Sequence, residues 1–588
     1  MTPVSTSVPT HTTPRKTVTT TLAVVSIMGL VAGCTTVPGD STPQALRSFA
    51  PAQSNIDVPS PVPGREPDLL LRDFFTASAN PIQNYQAARS FLSPDMASQW
   101  DNQSNTLILD RIDLNANANA GATADRISYI VRGTVVGNMS TGGVYAPENG
   151  DYEASIELRK INGEWRITSL PPGVILEKVE LRNNYQPHEL YFLDPTGRFL
   201  VRDRRWVYNG QPSTGSALLS LMVEGPQRGI APGVVNEVPE GAVFSGMKDG
   251  AYTFIGFGEL NADQRHRFAA QVVWTLARAG VAGPYRVTLD GVPLEIGQAG
   301  LSVEDVAEFN PNVGVGSLSP LYALSNGQLY VVSSDRVDLA PGRWGAQDAQ
   351  LESADISATG DVVAAVQTTG EGDDKKSQVL LGPLNGETTT ALERRTLSRP
   401  SLEYDASAFW TVLDGTTIAR VSRSSATGEM SQIEVDKDAF GDATGAISVL
   451  RLSHSGVRVA MIIDGRVYLG TVSRPAPGER KITNLVQIAP SIGNTALTLD
   501  WQHDGSLLVG TSSPDTPVRR VELDGSEVTP LSAGNITAPV VAVASSTNNI
   551  YVTDSRAVLQ LPSNGPSSAF WREVPALQGT RAAPVVAH

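Results

Sequence analysis

The chain has 588 residues, which is too long for a single hydrophobic core and predicts three or four domains. Hydrophobic residues at 41% and charged residues at 18% are typical of globular protein, and 53 glycines, 39 prolines and abundant β-branched residues indicate a β-rich fold with a minority of helix. The net charge of −15 argues against nucleic-acid binding and against a polybasic contact with anionic lipid.

The first 33 residues are organised as a secretory signal. Arg15 and Lys16 precede a short apolar stretch, residues 22–32. That stretch has about half of the ~20 residues that a membrane-spanning helix needs. The segment ends at Cys34, which is the single cysteine of the chain. Removal of residues 1–33 would bring the net charge from −15 to −17.

The residues before Cys34 resemble the lipobox of bacterial lipoproteins, in the order Val31, Ala32, Gly33 and Cys34. The resemblance implies that Val31, Ala32 and Gly33 are recognised by a signal peptidase. It also implies that Cys34 becomes an N-palmitoyl, S-diacylglycerol cysteine, so that acyl chains hold the mature protein on the outer leaflet of the membrane. The alternative is an ordinary secretory signal followed by an unrelated cysteine. We also expect no later membrane segment, because no later stretch approaches 18 consecutive apolar residues.

Residues 34–65 are predicted to be an extended tether that begins with the lipidated cysteine. The segment is rich in proline, serine, threonine and glutamine, and it has too few apolar side chains to form a core. At about 3.1 Å per residue it would reach on the order of 90 Å. It would therefore lift the folded part of the protein away from the membrane.

Residues 66–185 are predicted to form a first α+β domain. Apolar residues at helical spacing come first, and alternating strands follow, with Asn162-Gly163 as a hairpin turn. Helices followed by a meandering antiparallel sheet resemble a nuclear-transport-factor-2-like (NTF2-like) domain. The acids Asp151, Glu153 and Glu157 are interpreted as a solvated strand face rather than as catalytic groups.

Residues 186–300 are predicted to form a second α+β domain. A hairpin around residues 190–201 is followed by a helix over residues 262–279 with Asn261 as its N-cap. The order of elements resembles the GerMN module, named for a spore-germination protein, whose motif contains no catalytic residue. Three arginines after the hairpin turn, Arg202, Arg204 and Arg205, are interpreted as a solvated basic patch. Gly256-Phe257-Gly258 is interpreted as a turn and not as a nucleotide loop.

The C-terminal half contains a weak internal repeat. Residues 301–320 are a connector, and residues 321–588 repeat a strand, a polar turn with glycine, and a second alternating strand. The clearest copies place Gly456 and Gly505 49 residues apart. A period in the forties with several short strands per unit is typical of a β-propeller, here of about six blades of roughly 45 residues each.

The complete order of signal, tether, two α+β domains and propeller resembles the actinobacterial lipoprotein LpqB family. The resemblance implies a role beside a two-component system, in contact with the extracellular domain of a sensor histidine kinase of the MtrB type, with effects on cell-wall homeostasis and cell division. It implies a location on the extracytoplasmic side of the cell membrane.

No catalytic, cofactor or metal constellation is recognised in the sequence. The histidines lack zinc-binding spacing, and no G-x-S-x-G motif is present. Ser453-His454 and His503-Asp504 are interpreted as turns between blade strands. Three tryptophans, Trp410, Trp501 and Trp571, are predicted to be blade core. The sequence therefore favours a non-enzymatic binding protein.

The alternative is a cell-wall glycan-binding or hydrolytic propeller protein. Such a hydrolase would need acids that converge on the central channel. Asp355, Asp464 and Asp554 are the candidates, but they occupy unequal positions in the repeats. A lesser possibility is an accessory of export or of lipoprotein assembly. Convergent carboxylates with a tyrosine or an arginine in the channel would favour the hydrolase.

Overall fold

The computed structural model describes residues 58–117, 123–294, 300–312, 320–370, 372–441, 443–563, 565 and 569–587. The predicted signal, Cys34 and most of the predicted tether lie outside these ranges. Within the described ranges, none of the helices has both the length and the apolar character needed to cross a membrane.

The first domain packs three short helices and a fourth, later one against a six-stranded sheet. The helices are α1 (Pro67–Ala77), α2 (Ile82–Arg89), α3 (Pro94–Gln99) and α4 (Lys178–Asn184). The strands are β1 (Thr106–Leu109), β2 (Asp113–Ala116), β3 (Arg126–Ser140), β4 (Val144–Ile161), β5 (Glu164–Ser169) and β6 (Val174–Glu177). The sheet order is β5-β4-β3-β1-β6, and β2 pairs with β3. The predicted order of helices before strands is confirmed, while the NTF2-like comparison stays a prediction.

The turn between β4 and β5 is the predicted hairpin at Asn162-Gly163. Both residues adopt positive φ, 55° and 86°, which a tight hairpin turn requires and which asparagine and glycine tolerate. Inside the domain, Leu71 and Phe74 of α1 and Ile108 of β1 are almost completely buried in one core. The apolar residues at helical spacing in α1 therefore form part of that core.

The second domain combines a hairpin with a four-stranded sheet. Its elements are β7 (Tyr185–Leu193), β8 (Leu200–Tyr208), α5 (Thr214–Glu224), β9 (Val243–Lys248), β10 (Ala251–Ile255), α6 (Ala262–Arg278), β11 (Val287–Leu289) and β12 (Val292–Pro293). The sheet order is β12-β11-β10-β9. β10 and β11 run parallel because α6 connects them.

Helix α6 begins where the sequence predicted. The Asn261 side chain accepts a hydrogen bond from the Gln264 backbone N–H (2.9 Å), and the Gln264 side chain accepts one from the Asn261 N–H (3.1 Å). This capping box satisfies two amide groups that a helix N-terminus otherwise leaves unpaired. Phe268, Val272 and Leu276 form its buried stripe.

The C-terminal half contains six four-stranded antiparallel sheets among the described residues. The first sheet contains β13 (Leu321–Ser325), β14 (Gln328–Val332) and β15 (Val337–Leu339). The second contains β16 (Leu351–Ile356), β17 (Val362–Thr369), β18 (Lys376–Pro383) and β19 (Thr389–Arg394). The third contains β20 (Ser401–Leu402), β21 (Ala408–Leu413), β22 (Thr417–Arg423) and β23 (Met430–Glu434).

The fourth sheet contains β24 (Ile447–Leu452), β25 (Arg458–Ile463), β26 (Arg466–Ser473) and β27 (Lys481–Gln487). The fifth contains β28 (Ala496–Trp501), β29 (Leu507–Thr511), β30 (Val518–Val521) and β31 (Val528–Pro530). The sixth contains β32 (Ala542–Ser545), β33 (Asn549–Thr553), β34 (Val558–Pro562) and β35 (Arg572–Glu573). Short 3-10 turns lie at Ala231–Gly233, Glu304–Phe309, Gly342–Gly345, Gly372–Asp374, Asp438–Phe440, Pro490–Ile492 and Pro575–Leu577.

The final strand, β36 (Ala583–Val586), completes the first of these sheets. It pairs antiparallel with β13, with Leu321 opposite Val586. The strands β16, β20, β24, β28, β32 and β36 contact one another in turn and form a ring. The C-terminal half is therefore a β-propeller whose ring closes through backbone hydrogen bonds between its two ends.

Tryptophans fill the spaces between the propeller sheets. Trp344, Trp410 and Trp571 are at most 1% exposed, and Trp501 is 8% exposed. The predicted core role of Trp410, Trp501 and Trp571 is confirmed.

Candidate functional site at the mouth of the propeller channel

Four charged side chains meet where the ring-forming strands converge. Asp355 is near the end of β16, Arg451 lies in β24, and Asp500 lies in β28. Arg451 is 2.8 Å from Asp355 and 3.2 Å from Asp500. Arg399, just before β20, is 3.3 Å from Asp355 and 3.8 Å from Asp500. We call these four residues the channel cluster.

Three members of the channel cluster are buried, Arg399 is partly buried, and the cluster is also bonded to the backbone of the ring. Arg451 donates to the carbonyl of Pro400 (3.0 Å), and Asp355 accepts from the backbone N–H of Leu402 (2.8 Å). Burial works against the charge of Arg451, but the two carboxylates raise its pKa above the usual arginine range. Burial, together with the neighbouring Arg451, lowers the pKa of Arg399. Two carboxylates and two guanidiniums thus neutralise one another and join four sheets.

Only one member of the channel cluster was among the acids singled out from the sequence. Asp355, Asp464 and Asp554 occupy unequal positions, as predicted, because Asp355 lies in β16 whereas the other two lie outside the strands. Asp355 shares the channel with Asp500, which was not among the acids singled out. Asp464 accepts a hydrogen bond from the Ala446 N–H (3.0 Å), and Asp554 accepts one from the Thr537 N–H (2.9 Å). These two carboxylates therefore organise the turns in which they lie.

Sequence reasoning missed Arg399, Arg451 and Asp500. The signal that could have found two of them is the repeat spacing. Arg451 and Asp500 are 49 residues apart, as Gly456 and Gly505 are. Equivalent positions in adjacent sheets of a propeller face the same channel. A repeat alignment would therefore have placed Arg451 beside Asp500.

A cavity of about 190 Å³ lies beside the channel cluster, and its walls come from the second domain and the propeller. The second domain contributes the β7–β8 hairpin, and the propeller contributes its turns. Three rings from both sides meet here: the Phe199 centroid is 4.6 Å from that of Tyr404 and 5.2 Å from that of His454. The Tyr404 and His454 centroids are 4.6 Å apart.

The predicted turns Ser453-His454 and His503-Asp504 also lie at this cavity. Ser453 Oγ accepts a hydrogen bond from the Arg458 N–H (3.0 Å), and Asp504 accepts one from the Ser506 N–H (2.9 Å). The interpretation of both pairs as turns is confirmed. His454 contributes in addition a ring contact to the junction of the two domains.

The interpretation of Arg202, Arg204 and Arg205 as a solvated patch is wrong. Arg205 is 3% exposed and binds Asp203 with two hydrogen bonds of 2.9 and 2.8 Å. Arg204 pairs across the junction with Glu522 and Asp524 of the propeller, at 3.2 and 3.3 Å. Arg204 is paired because its face of β8 packs on the propeller. Arg205 lies on the opposite face of β8 and donates to the backbone carbonyls of Gly142 and Gly225.

Gly256-Phe257-Gly258 forms a turn, as predicted. Its three backbone N–H groups point at one carboxylate, that of Asp290, at 2.7, 2.9 and 2.9 Å. The hydrogen bonds, with that of Gly256 the strongest, lower the pKa of Asp290. The amide groups that could cradle a phosphate are therefore occupied by the chain itself. No cluster of three or more metal-ligating side chains occurs among the described residues.

The fold defines a class: a protein of two α+β domains joined to a C-terminal β-propeller, with an ion-paired channel. Residues 327–587 match the family model described as "Lipoprotein LpqB beta-propeller domain", and residues 60–182 match "Lipoprotein LpqB, N-terminal domain". Residues 189–295 match the model "Sporulation and spore germination".

The chain belongs to the LpqB lipoprotein family. It is 43% identical to Lipoprotein LpqB of Corynebacterium diphtheriae over 574 residues, which cover 96% of this chain and 98% of the relative. It is 41% identical to Lipoprotein LpqB of Corynebacterium jeikeium, with 96% and 97% covered. A solved structure of TolB from Acinetobacter baumannii matches 46% of this chain and 66% of its own, with 11% identity and a TM-score of 0.30, a likeness too low for any functional argument.

Proposed function

We propose that the chain is a lipid-anchored, non-enzymatic binding protein on the extracytoplasmic side of the cell membrane. Its partner is the extracellular domain of a sensor histidine kinase of the MtrB type, and its action affects cell-wall homeostasis and cell division. Family membership and the lipobox at Cys34 support the anchor. A diacyl anchor suffices for stable attachment, whereas a single acyl chain does not.

The observation that carries the non-enzymatic part of the proposal is the pairing in the channel cluster. A carboxylate that acts as a general acid or base must be able to exchange a proton with a substrate. Here Asp355 and Asp500 each lie within ion-pair distance of both Arg399 and Arg451. Such a cluster fixes neighbouring sheets, and the broad outer surfaces of the domains are left for protein contacts.

The partnership is tested by calorimetric titration of residues 35–588 against the extracellular domain of the sensor kinase. We expect saturable binding with a dissociation constant in the micromolar range or tighter. An unrelated sensor domain serves as the control. The absence of binding under conditions where the chain is folded would overturn the partnership.

Three exposed apolar side chains allow the contact surface to be located without truncating the chain. Val179 in the first domain, Val243 in the second and Phe570 in the propeller are 50%, 57% and 66% exposed. Replacing each by aspartate places a charge on one domain at a time. We expect one variant to weaken partner binding at least tenfold, while the other two act as matched controls.

Asp355 and Asp500 converge in the channel together with two arginines, which is the arrangement expected above of a hydrolase. This observation favours a second candidate, a glycan-binding or hydrolytic propeller. Tyr404 lies at the same cavity and could stack on a sugar ring. The test is incubation of residues 35–588 with cell-wall glycan, followed by measurement of bound protein and released reducing ends. Binding or release that is lost in Asp355→Asn would support this candidate over the first.

A further inference from the structure

The cavity at the domain junction has an excess of positive charge. Its walls include three arginines, Arg198, Arg202 and Arg458. Among the described residues, no carboxylate oxygen lies within 4.0 Å of their guanidinium nitrogens, so none of the three forms an ion pair. The acids that line it have partners of their own. Asp355 and Asp500 belong to the channel cluster, and Glu308 contacts His266 at 2.5 Å.

Arg458 is the most unusual of the three. It is 8% exposed, and its guanidinium donates to the backbone carbonyl of Arg202 at 2.6 Å. Burial lowers the pKa of Arg458 to about 10; Asp203 and Glu189 oppose this shift, while the neighbouring Arg202 guanidinium adds to it. A buried cation is costly without a negative partner. The buried guanidinium of Arg458 therefore favours a bound anion beside it.

Within the part of the chain that the structure describes, the Arg202 guanidinium donates only to neutral oxygens. Its guanidinium donates to the side-chain oxygen of Asn312 at 2.7 Å and to the backbone carbonyl of His503 at 3.4 Å. Arg202 comes from β8 of the second domain and Arg458 from β25 of the propeller. Two cations from two domains thus lie close to each other with only neutral oxygens bound.

The remaining wall supplies an aromatic contact. The Arg198 guanidinium lies over the rings of Phe199 and Tyr404, 5.6 and 5.7 Å from their centroids. Stacking uses the flat face of a guanidinium, and its N–H donors project in the plane. The volume of about 190 Å³ is below the roughly 300–1,000 Å³ of a typical drug-sized pocket, so the cavity suits one small group.

We propose that this cavity binds a small anion, with phosphate or carboxylate oxygens on Arg202 and Arg458 and its less polar part against Phe199 and Tyr404. Arginine forks match the oxygens of both groups, and charge-assisted hydrogen bonds are the strongest of their kind. Because the two arginines belong to different domains, the bound anion would also hold the second domain on the propeller. This inference does not depend on the sensor-kinase partnership.

The test is calorimetric titration of residues 35–588 with inorganic phosphate and with acetate, at constant ionic strength set by sodium chloride. We expect saturable binding of at least one of them at one site per chain. Arg202→Gln and Arg458→Gln should each weaken it at least tenfold. Arg572→Gln, at an exposed arginine of β35 outside the cavity, is the matched control and should bind as the original chain does.

Arg458→Gln could fail to fold because the side chain is buried. Arg202 is only partly buried, so Arg202→Gln keeps the test decisive. If neither anion gives saturable heat, or if Arg202→Gln binds as tightly as the original chain, the proposal is wrong.

Two sources of a phosphate group can then be separated. Phosphatidic-acid vesicles that bind the chain and are displaced by inorganic phosphate would identify a lipid headgroup. Glycerol phosphate that binds while the vesicles do not would identify a soluble ligand. Either result supports the anion site.

Discussion

The guanidinium of Arg451 lies 2.8 Å from the carboxylate of Asp355, although the two residues are 96 positions apart in the chain. Their side chains are only 3% and 5% exposed. Each residue alone would be a buried charge, and together they connect two sheets of the propeller that are not adjacent in the ring. The ion pair therefore makes the stability of each sheet depend on the other.

Arg451→Met is expected to destabilise the propeller strongly. It leaves Asp355 and Asp500 buried with only Arg399 to compensate them. Breaking a buried pair by removing one partner costs about 3–5 kcal/mol. The measurement is the midpoint of urea unfolding. Arg336→Met, at a pair whose side chains are 72% and 57% exposed, is the control and should hardly move the midpoint. Equal midpoints for both variants would contradict the prediction.

Gly143→Ala is expected to disturb the contact between the first two domains. Gly143 has φ of +72°, and a Cβ atom there would lie 2.1 Å from the backbone oxygen of Trp206. Gly241 has φ of +81° with nothing within 4 Å, so Gly241→Ala should cost only the about 1–2 kcal/mol of a left-handed residue. Thermal unfolding should show the larger loss in Gly143→Ala. If Gly143→Ala loses no more stability than Gly241→Ala, the backbone around Gly143 can move away from Trp206 at little cost, and the prediction is wrong.

The ion pair of Glu403 with Arg420 is expected to contribute acid-dependent stability. Burial raises the pKa of Glu403, but hydrogen bonds of 2.7 and 2.9 Å from Arg420 outweigh it, and the net pKa is lowered from the usual 4.5. A lowered pKa in the folded state means that the contribution is complete above pH 4.5 and is lost as the pH falls through the folded pKa.

The stability difference between the original chain and Glu403→Gln should therefore be largest above pH 4.5 and shrink below it. Urea unfolding at a series of pH values measures it, and Glu573→Gln, at an exposed site, is the control. If the stability difference between the two proteins stays constant below pH 4.5, the Glu403–Arg420 ion pair does not contribute acid-dependent stability.

Asp524→Ala is expected to loosen the second domain from the propeller. Asp524 accepts a hydrogen bond from the Trp206 indole N–H at 3.0 Å and pairs with Arg204 at 3.3 Å. Leaving such donors unsatisfied costs about 1–3 kcal/mol. Hydrogen exchange of the Trp206 indole should become faster. Asp338→Ala, at a side chain that is 57% exposed, should not change it. Unchanged exchange in Asp524→Ala would mean that the junction depends on other contacts.

Cys34→Ala is expected to abolish lipidation and to release the protein from the membrane. The thiol is the attachment point that the lipobox resemblance implies, and the chain contains no other cysteine. Labelled fatty acid and cell fractionation provide the two measurements. Ser54→Ala, in the predicted tether, is the control. Fatty acid still incorporated into Cys34→Ala would place the lipid elsewhere.

Features that depend on a few neighbouring residues could be predicted. Asn261 caps α6, Asn162-Gly163 turns the β4–β5 hairpin, and Trp410 lies in the core. Each follows from local geometry or from the pattern of apolar residues, which a single sequence displays directly. The β-rich multidomain class was also readable, because composition and periodicity change along the chain.

The channel cluster and the charged junction could not be predicted in the same way. A lone Arg204 in a sequence looks solvated, because an arginine on an alternating strand usually faces water. Its burial depends on Glu522 and Asp524, more than 300 residues later. A single sequence gives only a weak indication of the ion pairs of Arg204, because they depend on how the second domain packs on the propeller.

The sequence by itself therefore determined the local elements, the β-rich class and the positions where turns and caps form, because neighbouring residues decide these. Only the tertiary structure decided which charges meet. Closing the propeller through β36 aligns strands from distant parts of the chain around one channel, and docking of β8 brings Arg202 beside Arg458. Ion pairs and cavities depend on distances of a few ångströms between such segments, and those distances exist only once the ring has closed.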